Sequence, residues 1–204
     1  MTSARICGLL ISTIITSRRC AADLGIVTGN LPSRRYRSQC RHRRRAALDA
    51  FGTAIALNRN NAGAINQVAI VLTFLGRPEE AIPLIEKALR LDPLSPYLAD
   101  RLWALGYAHL LLGHVDEAID FLRRARAANP RLYYVHLSLA GALGLKGEIE
   151  EARLELAESL RLNPEYDTLK RFAACVPWAG APKGWTLREK TLNAGLRKAG
   201  MPEE

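Results

Sequence analysis

The sequence predicts an all-α solenoid built from antiparallel helix pairs, on three observations. First, LGRPEEAIPLIEKALRLDP, residues 75–93, returns as LGHVDEAIDFLRRARAANP and again as LKGEIEEARLELAESLRLNP. Second, the copies share columns: Gly76, Gly113 and Gly147; Ala81, Ala118 and Ala152; Pro93, Pro130 and Pro164, each stepping by 37 and then 34 residues. Third, apolar residues fall at helical spacing on both sides of the glycine-marked turn, so each unit reads as two helices. A single helix pair leaves its apolar stripe exposed. Successive pairs must therefore stack.

The 204 residues are 49% hydrophobic, enough for a buried core, and carry a formal charge of +9. That charge is local. Residues 1–47 hold ten arginines and one acid, Asp23, while the other 19 basic and 19 acidic residues balance. Residues 1–45 are read as a basic, disordered arm, with a targeting segment or the misassigned start of a longer gene as alternatives. Its run Arg41 to Arg45 suits weak, non-specific contact with nucleic acid or anionic lipid. ICGLLISTII, from Ile6 to Ile15, is too short to span a bilayer, which takes about 20 residues. Cys7, Cys20, Cys40 and Cys175 lack zinc-site spacing and the density of a disulfide scaffold, so a reduced, cytoplasmic chain is expected.

The array is assigned to residues 46–164, as a half repeat over 46–58 and full repeats over 62–93, 96–130 and 131–164. In the half repeat, Ala47 lies 34 residues before Ala81 and Arg59 lies 34 before Pro93. In each full repeat the second helix opens with acids, such as Glu79, Glu80, Asp116, Glu117, Glu150 and Glu151. It closes with bases, such as Arg90, Arg126 and Arg161, as the helix dipole favours. Pro78 suits a first helical position, and the Asp-Pro or Asn-Pro pairs end each unit. Ala69, Gly106 and Ala140 should meet Ala81, Ala118 and Ala152 at the crossings, with Leu105, Leu122, Leu139 and Leu156 filling the layer between. The longer DPLSPY connection, Asp92 to Tyr97, is expected to loosen the stacking of the first two units. Residues 165–204 are read as a helical cap and tail: EYDTLKRFAACV a capping helix, Pro177 to Gly184 a loop, and a last helix ending near Gly200.

The 34-residue period with these small-residue columns resembles the tetratricopeptide repeat over about residues 46–164. The family's bulky aromatic near the start of the first helix is replaced by Ile65, Leu102 and His136. The resemblance implies a groove, lined by the first helix of each unit, that binds an extended peptide or a helix. By register its positions are Asn66, Ile70, Phe74, Trp103, Tyr107, Leu110, Tyr134 and Leu137. This lining is apolar and aromatic, unlike that of family members that hold acidic chaperone tails with lysine, arginine and asparagine. It suits an amphipathic helix, or a domain of the same longer polypeptide. The competing reading is that Trp103 and Tyr107 pack between units or under the tail. With GLRKAGMPE near the end, residues 48–204 also resemble the C-terminal repeat region of bacterial class III adenylate/guanylate cyclases, without the catalytic domain.

No phosphate loop, H-E-x-x-H, G-x-S-x-G or paired C-x-x-C occurs, so the chain is expected to be no enzyme and to carry no cofactor, catalytic residue or metal site. His109 and His114, five apart, straddle a helix end. His109 and His136 fall in core columns and are expected to be satisfied imidazoles. The function expected is a non-catalytic protein-interaction module. The alternative is a detached or truncated regulatory region of a cyclase-type signalling protein.

Overall fold

A computed structural model describes residues 48–175 and 181–204. The arm assigned to residues 1–45, with Arg41 to Arg45, lies outside the described residues. Among those described, every regular element is a helix. α1 spans residues 48–57. Three pairs follow: α2 (Ala62–Phe74) with α3 (Pro78–Leu91), α4 (Leu98–Leu112) with α5 (Val115–Ala128), and α6 (Tyr133–Lys146) with α7 (Ile149–Leu162). A 3-10 turn (Pro164–Tyr166) leads into α8 (Leu169–Cys175). The last helix is α9 (Pro182–Arg188), a π turn (Glu189–Asn193) and α10 (Ala194–Lys198) in unbroken succession.

Local chemistry explains the boundaries. Asn61 caps α2, its Oδ1 accepting from the Ala64 amide at 3.0 Å. Gly113 and Gly147 end α4 and α6 at φ of 80° and 94°, a left-handed turn that L side chains adopt at a cost. Pro78 and Pro182 stand at helix starts, where the missing N–H has no ladder partner to lose. The last helix thus begins at Pro182, so Lys183 and Gly184 are helical where the sequence suggested a loop.

The crossings pack as the columns imply. Ala69, Ala81, Ala118, Ala140 and Ala152 are fully buried, and Leu105, Leu122, Leu139 and Leu156 fill the core between them. A methyl built on Gly106 would stand 2.8 Å from Leu122 Cγ and 3.1 Å from the Ala118 carbonyl oxygen. The connection after α3 is not loose. The buried Arg101 guanidinium donates to the Asp92 carbonyl oxygen at 2.6 Å, to the Ala88 carbonyl oxygen at 3.3 Å and to Asp92 Oδ2 at 3.0 Å. Ser95 Oγ accepts from the Tyr97 amide at 3.2 Å. The three inserted residues are absorbed by a side chain that ties the connection to the end of α3 through the Asp92 carbonyl and carboxylate.

Ion pairs join the second repeat to the third, Arg123 with Glu148 and Glu151 and Lys146 with Asp116, and Lys146 also pairs with Glu148 within its own repeat. α2 touches α4, and α4 touches α6, so the first helices of the pairs line one continuous inner face. The last helix crosses that face. It packs on α2, α4 and α6, and the Leu192 and Leu196 side chains belong to the same core as Trp103, Tyr107 and Leu137. The residues after it turn back to α8, where the Leu169 and Lys170 amides donate to the Pro202 and Glu203 carbonyls at 2.9 and 3.1 Å. Of the segment read from sequence as a helical cap and tail, the last helix folds across the inner face of the array.

Candidate functional site: the inner face

Each groove position comes from a first helix, because residues three or four apart on one helix share a face. Asn66, Trp103, Tyr107, Leu110 and Leu137 are buried, whereas Ile70, Phe74 and Tyr134 are half-buried. The rings run on from one another. Phe74 and Tyr107 lie 5.5 Å apart between centroids, Tyr107 stacks on Trp103 at 5.6 Å, and Tyr134 meets Trp103 edge-on at 4.9 Å. Tyr133, Tyr166 and Phe172 continue the series in steps of 5.4 and 5.6 Å. Such pairs add about 0.5–1.5 kcal/mol each beyond their buried area.

The polar ends of Trp103 and Tyr134 are satisfied within the fold. The Trp103 Nε1–H donates to Ser138 Oγ at 3.0 Å, Ser138 donates to the Tyr134 carbonyl at 2.8 Å, and the Tyr134 hydroxyl donates to Asp100 Oδ1 at 2.5 Å. Burial pushes the Tyr107 and Tyr134 phenols up, and the Asp100 carboxylate pushes Tyr134 further. Both therefore remain neutral at physiological pH. Asn66 Oδ1 is buried without a hydrogen bond.

The last helix brings a buried guanidinium to this face. Arg188 lies 4.1 Å over the Phe172 ring and 5.4 Å over Trp185, and its Nε donates to Asn193 Oδ1 at 3.3 Å. Burial pushes it down, with Tyr107 and Glu189 acting the other way. Sequence reasoning did not single out Arg188, nor the five glycines Gly76, Gly141, Gly144, Gly184 and Gly195 as interface residues. A signal was present. Gly141 falls in the column of Ile70 and Tyr107, a position the register gave to the inner face, and a glycine there marks a close approach.

Elsewhere His136 is satisfied as its core column suggested, whereas His109 is not. His136 is held at both ring nitrogens, Nδ1 to Glu155 at 2.6 Å and Nε2 to the Pro130 carbonyl at 2.9 Å. His109 stacks on Phe121, but its Nδ1 makes no hydrogen bond, and burial pushes it down. The left-handed turn at Gly113 brings the His114 ring to 5.6 Å from His109, closer than a helix-end separation suggested. No group of three potential metal ligands occurs among the described residues, and no helix there is long and apolar enough to cross a membrane. An inner face of neutral phenols, an indole and aliphatic chains is suited to packing against apolar surface rather than to proton transfer.

Comparison with known proteins agrees with this architecture. Two tetratricopeptide-repeat models match residues 60–131 and 103–167, together 108 of the 204 residues. Anaphase-promoting complex subunit 7 of Dictyostelium discoideum is 32% identical over 98 residues, covering 46% of this chain. The matched stretch spans only 15% of that protein's length. Among solved structures, MamA superposes with a TM-score of 0.53 at 18% identity, covering 78% of this chain and 91% of that one. An O-GlcNAc transferase mutant of Thermobaculum terrenum gives a TM-score of 0.54 at 19% identity, covering 82% of this chain and 28% of the transferase chain. At these identities the likeness is one of fold.

Proposed function

Because the chain belongs to the tetratricopeptide-repeat family, we propose that it is a non-catalytic scaffold that binds a helical segment of a protein partner on its inner face. The observation that carries this reading is the chain's own helix, Pro182 to Lys198, lying across α2, α4 and α6. It supports a face whose width and apolar chemistry suit a helix. Aromatic anchors in such a face supply most of the binding energy. Ile70, Phe74 and Tyr134 keep partial exposure with that helix in place and are the first contacts an incoming segment meets.

Site-specific photo-crosslinking tests the reading. A benzophenone side chain at Ile70 should capture the partner, and one at Leu154, exposed on the outer side, should not. Capture from Leu154 alone would move binding to the outer surface and overturn the proposal.

The sequence resemblance over residues 48–204 favours a second reading, in which the chain is the regulatory end of a cyclase-type signalling protein. Purified chain is then expected to form no cyclic nucleotide from ATP or GTP with magnesium or manganese. A cyclase-like reading frame directly upstream of Met1 would favour this reading over a free-standing scaffold.

A further inference from the structure

The last helix is seated at both ends by backbone rather than side chains. A methyl built on Gly184 would overlap the Phe74 carbonyl oxygen, and one on Gly76 would stand 2.5 Å from the Gly184 amide nitrogen. At the other end a methyl on Gly195 would overlap the Gly141 carbonyl oxygen, and one on Gly144 would overlap that of Gly195. Even alanine is excluded. Eleven residues separate Gly184 from Gly195, or about 16 Å of helix. That matches two helix-to-helix spacings of about 8–10 Å, the distance from α2 across α4 to α6. Leu192 and Leu196, one turn apart, bury their side chains beside the second contact.

The fit in outline is close, but the chemistry of the interface is incomplete. Arg188 is 95% buried, yet its Nη2 makes no hydrogen bond, which for a buried cationic donor is a standing cost. The π turn at Glu189–Asn193 also interrupts the regular ladder in the middle of the contact.

We propose that the last helix is an in-cis stand-in for the partner. The inner face takes one helix at a time, selected by glycine at two positions three turns apart with paired leucines beside the second. A partner helix with that signature binds by taking its place. This rests on the inner face being a helix-binding surface. Tethering gives the resident helix an effective concentration on the order of millimolar, so a free competitor meets a raised threshold until the resident is weakened.

The test uses the full chain and, as probe, a fluorescein-labelled synthetic peptide of residues 181–204 read by anisotropy. The unaltered chain should bind it at least tenfold more weakly than a Gly195→Leu chain whose circular dichroism stays native. A peptide with leucine in place of Gly195 should bind neither. Equal peptide affinity for the two chains would overturn the proposal. Should Gly195→Leu fail to fold, hydrogen exchange on the unaltered chain decides. Amides 185–198 exchanging at least tenfold faster than those of α4 and α6 support exchangeability, and equal protection overturns it. Crosslinking from Ile70 together with equal protection would leave the scaffold reading standing and remove only the stand-in.

Discussion

His136 presents both ring nitrogens to acceptors, so the doubly protonated imidazolium is the form that fits its site. The Glu155 hydrogen bond is the main cause that holds His136 up, with the Pro130 carbonyl and Glu158 assisting against burial. Burial pushes Glu155 up, but His136 and Arg126, which also pairs with it, bring it below the usual carboxylate range. The two shifts define a window. The histidine's contribution is complete below its ordinary value of about 6.5 and fades as pH rises through the raised folded value. That of Glu155 is present above the ordinary carboxylate value and is lost as pH falls through the lowered one. His136→Gln should therefore destabilise by about 1.5–3 kcal/mol at pH 6, the range for hydrogen bonds to charged groups, and by clearly less at pH 9. Urea titrations at both values check this, and a pH-independent loss would assign His136 to packing alone. The burial of this histidine was legible from its core column. Its partner was not, because α7 also carries Glu150, Glu151 and Glu158, and the sequence pattern does not say which of these acids faces the histidine.

Each helix pair depends on the small residues at its crossing, and the α4–α5 pair is one instance. Ala118 is fully buried and its carbonyl oxygen faces Gly106. Ala118→Leu should cost about 1–3 kcal/mol by overpacking. Guanidinium unfolding should show the midpoint falling with the slope unchanged, and no loss would contradict the register. The repeat columns made these crossings readable because the same packing problem recurs in three copies. Two features occur once and escaped. The Arg101 clamp on Asp92 exists only where the connection is longer, and from sequence an inserted connection reads as slack. Gly141 and Gly144 fall outside the repeated small-residue columns, yet they admit a helix whose Leu192 and Gly195 stand 51 positions further along the chain. Periodicity speaks for neighbouring units; a contact between the first unit and the tail has no period.

A linear array folds and unfolds by neighbour contacts, and its end units fray. Here the last helix touches the first, second and third pairs at once, which ties the ends of the array to its middle. Unfolding of the unaltered chain in urea should be one transition, with tryptophan fluorescence and far-ultraviolet circular dichroism coinciding. Gly184→Leu, which clashes at the first pair, should separate the two curves as that pair opens early. Coincident curves in a clearly destabilised variant would show that the repeats hold together without the tie. The seating of Gly184 against Gly76 also bears on synthesis. The two glycines are 108 residues apart, so on the ribosome, at about 5–20 residues per second, roughly 5–20 s pass between making the seat and making the residue that occupies it. Through that interval the nascent chain carries Phe74, and then Trp103 and Tyr107, without the helix that later crosses them, and a chaperone that holds apolar surface during translation has its longest opportunity there.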